Sequence, residues 1–277
     1  MKPLRWLDPR WLVLVNNALL LVWGLALFGL QRSAVQIASC LAATVGCELL
    51  LARLTRDRRS VRDRLLSSAT AAVSTLVLLV SPDVWFYAVI GAVAIASKYA
   101  VRDASGRHVF NPTNFAIVFA IALLPDHLLV RPDQFSGSPW LMAQIAVFGL
   151  VAAVQGARFR TTLGYYLAVV GFALPVGMLL GIKPLWILAP EMNTSTLIFT
   201  CLMITDPRTT PEERRGQWAF GLSVGVVHLC LRYLQVPYSP FIALFVAAGL
   251  RSARRAVTPD TPDTPDVAGV ASPAGVR

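Results

Sequence analysis

The chain has 277 residues, of which 56% are hydrophobic and 14% charged, with a mean hydropathy of +0.60 and a formal net charge of +10. Roughly a quarter of a typical soluble domain is charged, so the composition excludes an ordinary soluble enzyme and points to a polytopic helical membrane protein. A pI near 10.1 would suggest nucleic-acid binding in a soluble chain. Here the placement of the charge explains it as a topology signal, with the lipid bilayer and no nucleic acid as partner.

Met1 to Arg10 is a basic start, and the apolar run Trp11 to Leu30 follows. The run is long enough to span and no small-residue cleavage site closes it, so it is expected to be a first span and not a cleavable signal peptide. Nine further apolar segments follow at about 34–52, 65–80, 84–101, 109–124, 139–157, 162–182, 185–204, 217–234 and 238–250. The expected fold is all-α with about ten transmembrane helices. A crossing helix needs roughly 20 residues, so the third, fifth and last segments are tilted, half-length or re-entrant.

With the amino terminus in the cytoplasm, the inside loops hold twenty-one lysines and arginines, and only Arg32, Arg131, Lys183 and Arg232 fall outside. This bias follows the positive-inside rule and predicts both termini in the cytoplasm. Few lysines beside many arginines suggest a bacterial source, hence a bacterial inner membrane. Five helices per half give halves of opposite orientation, residues 1–130 and 131–255, an inverted repeat with discontinuous helices. Residues 256–277 carry Thr-Pro-Asp three times from Thr258 and are too poor in large hydrophobic residues to fold, so a disordered cytoplasmic tail is expected. The basic loop 53–64 reads as an anchor against anionic lipid.

Two polar stretches interrupt the apolar pattern. In the first, Lys98, Arg102, Asp103, Arg107 and His108 precede Asn111-Pro112-Thr113-Asn114. Proline lacks an N–H and disfavours helix in the residue before it, so a helix should begin here with Asn111 as cap and Pro112 in its first turn. The unpaired N–H groups of that turn would face an electron-rich group in a cavity. In the second, Asn193-Thr194-Ser195-Thr196 leads on to Thr205-Asp206-Pro207. Asp206 should cap a turn and pair with Arg208, Arg214 or Arg215.

Elsewhere the polar residues read as structural. Ser67 to Thr75 is a run of small and hydroxylated residues suited to close helix packing. Glu48 is expected to snorkel or to pair with the basic loop. His228 shares a helix face with Arg232 and is expected to be a packed, hydrogen-bonded residue. Cys40, Cys47, Cys201 and Cys230 all lie in apolar runs without CxxC or Cys/His spacing, so buried packing residues are expected and no metal site. GxSxG, HExxH and Walker motifs are missing, which argues against hydrolysis and ATP-driven work and leaves open whether the chain is an enzyme.

Gly106-Arg107-His108-Val109-Phe110-Asn111-Pro112-Thr113-Asn114-Phe115 resembles the Phe-Asn-Pro signature of the RnfD/NqrB family, membrane subunits of ion-translocating electron-transport complexes. Ala88 to Lys98 is similar to the helix leading into that signature, and Met203-Ile204-Thr205-Asp206-Pro207 to the family's Met-x-Thr-Asp-Pro motif. The likeness covers about residues 60 to 250, and within the family it points to the UnbU-like branch associated with enediyne clusters. It implies ten helices in two inverted repeats, a urea-transporter-like fold, other membrane electron-transport subunits as partners and a flavin, riboflavin or FMN, as cofactor. Respiratory members attach FMN to a Thr in Asp-x-x-Ser-Gly-Ala-Thr. The matching loop here is Asp133-Gln134-Phe135-Ser136-Gly137-Ser138-Pro139, and Pro139 has no hydroxyl, so the expected flavin is non-covalent. Its implied contacts are Asn111, Thr113, Asn114 and Phe115 from one half and Asn193, Thr194, Thr196, Thr205 and Asp206 from the other. Lys98, Arg102 and Arg107 would hold a phosphate or bias the ring. The alternative is a channel or transporter for a small solute or secondary metabolite on the same scaffold, and a third reading is a scaffold subunit without ligand.

Overall fold

Several helices begin where a side chain caps the first turn. A computed structural model describes residues 8–104, 106–130, 135 and 137–257. Asp8, Ser33 and Ser60 accept backbone N–H bonds from Arg10, Gln36 and Asp63. They start α1 (Pro9–Leu27), α2 (Ala34–Leu54) and α3 (Val61–Leu78). After α3, the two-residue strand β1 (Leu79–Val80) leads to α4 (Val84–Ala100) and α5 (Pro112–Leu123). The strand β2 (Leu129–Val130) pairs antiparallel with β1, Leu79 opposite Val130. Next come α6 (Pro139–Gln155) and α7 (Phe159–Leu179). The short α8 (Pro184–Leu188), α9 (Thr194–Met203), α10 (Arg214–Tyr233) and α11 (Ser239–Val257) complete the described chain. Proline occupies the first turn of α1, α5, α6 and α8, where its missing N–H costs nothing.

The helix pairings fall into two similar sets. Early in the chain α1 packs on α3, α2 on α4 and α4 on α5. Later α6 packs on α9, α7 on α10 and α10 on α11. Between the sets, α1 meets α6 and α5 meets α11. Glycine sets the closest approaches. A Cβ at Gly91 of α4 would lie 2.7 Å from Thr44 Cγ2 of α2, and one at Gly221 of α10 would lie 2.1 Å from the Thr161 carbonyl oxygen of α7. Lys98 and Arg102 follow Gly91 at the same spacings at which His228 and Arg232 follow Gly221.

Three helices are long and apolar enough to cross a membrane: α1, α2 and α7. The helices α4, α5, α6 and α9 are apolar but shorter. Large apolar side chains cover much of the outer surface, with Leu179 87% exposed and Trp186 71% exposed.

The expected segment boundaries hold within a few residues, with two differences. Segment 185–204 is not one helix. It breaks between α8 and α9 because Pro190 interrupts the ladder and the Asn193 side chain accepts from the Thr196 N–H, starting a new helix. The last segment, expected to end at 250, runs on to Val257. The tail from residue 258, Asp133, Gln134 and Ser136 lie outside the described residues.

Candidate functional site

A short hairpin precedes α5. Asp103 N–H donates to the Arg107 carbonyl (2.8 Å) and Val109 N–H to the Val101 carbonyl (3.1 Å), and Gly106 takes the left-handed conformation, φ 76°, that the turn requires. This places His108, 9% exposed, against the protein. Asn111 then caps α5, its Oδ1 accepting from Asn114 N–H at 3.1 Å. On the other side, α9 ends in a turn in which Asp206 Oδ1 accepts from Arg208 N–H at 3.1 Å.

The two motifs meet. Asn111 Nδ2 donates to Asp206 Oδ2 at 3.3 Å, and His108 Nε2 lies 3.9 Å from the same oxygen. They border a cavity of about 110 Å³. Val13, Ala71, Leu78, Ala152, Ile198 and Leu202 give it an aliphatic wall. Asn17, Ser67, Thr70, Ser74, His108, Thr113 and Thr205 supply polar edges, and Arg10, Asp206 and Arg208 supply charge. Elements from both helix sets contribute: α1, α3 and the start of α5, with α6 and the end of α9.

Burial alone would raise the Asp206 carboxyl, but the His108 side chain and the Arg208 charge outweigh it and hold the group below the ordinary aspartate range. Burial and the positive charges of Arg59 and Arg10 push Arg208 down, against the pull of Asp206 and Asp63.

The remaining expected site residues are placed as follows. Asn114 is buried and donates from Nδ2 to the Phe241 carbonyl at 3.1 Å, away from the cavity. Phe115 packs with Phe110 and Phe245 at ring distances of 5.6 and 5.9 Å. Asn193, Thr194 and Thr196 sit at the opposite end of α9 from Asp206, about 15 Å away at 1.5 Å per residue, so one helix carries the two motifs apart. Lys98 Nζ binds Glu48 and Ser67 Oγ. The Arg102 guanidinium lies over Tyr99 at 4.9 Å, and Arg107 pairs with Glu212 at 3.1 Å. None of these three cations lines the cavity. Asp206 pairs with neither Arg214 nor Arg215, both of which are exposed.

Among the described residues the cations on the cavity are instead Arg208, expected only as a partner for Asp206, and Arg10, which adjacency to the motifs did not single out. Asn17 was also missed. It donates to Ser74 Oγ at 2.9 Å, and Asn16 donates to it in turn at 3.1 Å. Two adjacent asparagines within an apolar span were the available signal.

A second buried network lies outside the cavity. Glu191 accepts from His228 Nε2 (3.1 Å), Arg232 Nη1 (2.6 Å) and Tyr165 OH (2.9 Å), while Ser239 Oγ lies 3.1 Å from His228 Nδ1. His228 is thus the packed, hydrogen-bonded residue expected. Glu48 pairs with the basic loop through Arg59 Nη2 at 3.0 Å, as well as with Lys98. The four cysteines are free, although Cys230 is exposed, and no metal-ligand cluster occurs among the described residues.

In comparisons with known proteins, no family model matches the chain and no curated protein shows significant similarity to it.

Proposed function

We propose that the chain is a multi-pass bacterial inner-membrane protein of the RnfD/NqrB type, with ten helices in two inverted five-helix repeats, which binds a flavin non-covalently and takes part in transmembrane electron transfer. The observation that carries this reading is the meeting of Asn111 and Asp206 on one cavity walled by both helix sets. The parallel pairings, α2 with α4 and α7 with α10, and the shared Gly-to-cation spacings support the duplication. The exposed apolar surface supports the membrane, since soluble monomers rarely expose apolar patches beyond a few hundred Å².

The cavity's chemistry fits a flat heteroaromatic ring. Ala71, Leu78 and Ile198 offer aliphatic faces, and Asn17, Ser74 and Thr113 offer donors and acceptors for ring edges. Bound there, a flavin supplies acceptance of one or two electrons. The residues of the chain bind the ring, orient it and exclude bulk water. The loop that would carry a covalent flavin ends at Pro139, the first residue of α6.

Purified protein in mild detergent should show flavin absorption, with the colour released into the supernatant on acid precipitation. Colour retained in the pellet would overturn the non-covalent assignment. A folded, colourless protein that takes up neither riboflavin nor FMN would overturn the flavin. One observation favours the second reading, a carrier of a small solute or secondary metabolite: among the described residues no Phe, Tyr or Trp lines the cavity to stack on a ring. Solute flux in proteoliposomes separates that reading from a scaffold role.

A further inference from the structure

The helices α10 and α11 do not fill the space between them. A groove of about 570 Å³ runs there, against about 110 Å³ for the motif cavity, and the two share no lining residue. Ala219, Phe220, Ser223 and Val227 recur at helical spacing and form one face of α10, while Ala247 and Leu250 line the groove from α11. It opens outward, since Ala219 and Ser223 are exposed and Leu250 is 58% exposed. From Gly216 to Val227 the lining of α10 extends about 17 Å by helical rise. One leaflet of a bilayer holds ~15 Å of hydrocarbon, half of the core.

Charge lies at one end of the groove only. Arg107, Glu212 and Glu213 stand where α10 begins, and Arg251 and Arg254 lie on the last two turns of α11. Arg107 pairs with Glu212 at 3.1 Å. Arg251 donates from Nη1 to the Thr209 carbonyl at 2.7 Å, and its guanidinium lies 5.9 Å from the centre of the Phe220 ring. Arg254 is exposed. Three arginines to two glutamates leave the rim with one positive charge in surplus, above an apolar trough as long as one leaflet is deep.

We propose that this groove holds an anionic phospholipid of the cytoplasmic leaflet, its singly charged phosphodiester at Arg251 and Arg254 and one acyl chain along α10. Basic pockets between membrane helices on the cytoplasmic side hold such headgroups, and a guanidinium fork matches phosphate oxygens. The volume lies within the ~300–1,000 Å³ of pockets that enclose whole small molecules. The proposal goes beyond the flavin reading and uses none of its residues. It rests only on the membrane embedding and on the cytoplasmic placement of the loop before α10.

The test is native mass spectrometry of the full chain in mild detergent, titrated with dioleoyl phosphatidylglycerol or dioleoyl phosphatidylethanolamine. The samples are the wild type, Arg254→Gln, Ala219→Trp and, in the basic loop 53–64, an Arg56→Gln/Arg58→Gln double variant, each checked for a monodisperse profile. The wild type should bind one phosphatidylglycerol about fivefold more tightly than phosphatidylethanolamine, the effect of one unit of charge at a basic membrane surface. Arg254→Gln should bring the two lipids together, and Ala219→Trp, which fills the trough, should weaken both. The loop variant should keep the wild-type preference. Should Ala219→Trp fail to fold, Ser223→Phe takes its place. The colour of the same samples reports on the flavin separately, so a colourless protein that retains phosphatidylglycerol loses the flavin and keeps the lipid site. Equal binding of both lipids to the wild type would overturn the anionic assignment. Lipid binding that survives filling of the trough, or that is lost in the loop variant, would overturn the groove.

Discussion

Glu48 and Lys98 form a buried ion pair, each 3% exposed or less, with Arg59 and the Tyr99 hydroxyl completing the shell of the carboxylate. Removing one partner of such a pair strands the other, at a cost of about 3–5 kcal/mol. Glu48→Gln should therefore lower the thermal midpoint sharply in detergent, and a Glu48→Leu/Lys98→Leu double variant should lose much less than the sum of the singles. Asp206 predicts a pH dependence. Its carboxyl is held below the ordinary value of 3.8, so its contribution to stability is fully present above that value and fades as the pH falls through the depressed one. Denaturation midpoints should show no loss from this group between pH 7 and 5. Below about pH 4, wild type should lose stability faster than Asp206→Asn, and equal acid limbs would refute the assignment. At this scale the sequence was informative where a residue type is costly in an apolar span, as with Asn111 and Asp206. It offered Arg208 only as a partner for Asp206 and was silent on Arg10, because the cavity they share depends on how the helices pack.

Helix α10 touches α7 through Gly221, whose Cβ would meet backbone at 2.1 Å, whereas a Cβ at Gly91 would meet the side-chain methyl of Thr44 at 2.7 Å. Backbone cannot rotate aside. Gly221→Ala should accordingly cost about 1–3 kcal/mol or more through overpacking, Gly91→Ala less, and the exposed Gly46→Ala, with nothing within 4 Å, should be neutral or slightly stabilising. Thermal melts of the three variants check this order. Element boundaries were legible because caps and prolines mark them: Ser33, Ser60 and Asn111-Pro112 all stand where helices start. The eighth segment was not legible as two helices, since a hydropathy window averages across Pro190 and sees one apolar run. Asn193, Thr194 and Thr196 were expected beside Asp206 from the family resemblance, but the rise along α9 holds them at its far end.

For the whole molecule, the charge count and the helix pairings bear on one topology from independent directions. The proposed topology, with both termini on the cytoplasmic side, predicts that fusions at either end give an active cytoplasmic reporter and an inactive periplasmic one. A periplasmic signal from the carboxy-terminal fusion would break the ten-span count. The two Asn-Pro and Asp-Pro motifs nevertheless occupy different ranks in their helix sets, one opening α5 and the other following α9. Their meeting is a property of the packed chain that no alignment of one half on the other would have foretold.

Along α1 the environment changes in steps. Arg10 and Asn17 face the cavity, Leu20 and Leu21 are buried above it, and Trp23 and Phe28 close against Trp140 and Phe135 at ring distances of 5.8 to 6.2 Å. By helical rise, the aromatic end lies about 27 Å from Arg10. Along α1 the molecule is therefore polar and hollow at one end and packed with rings at the other. On the proposed flavin reading, this packed end would let electrons pass toward Trp23 and Phe28 without passage of the ligand itself.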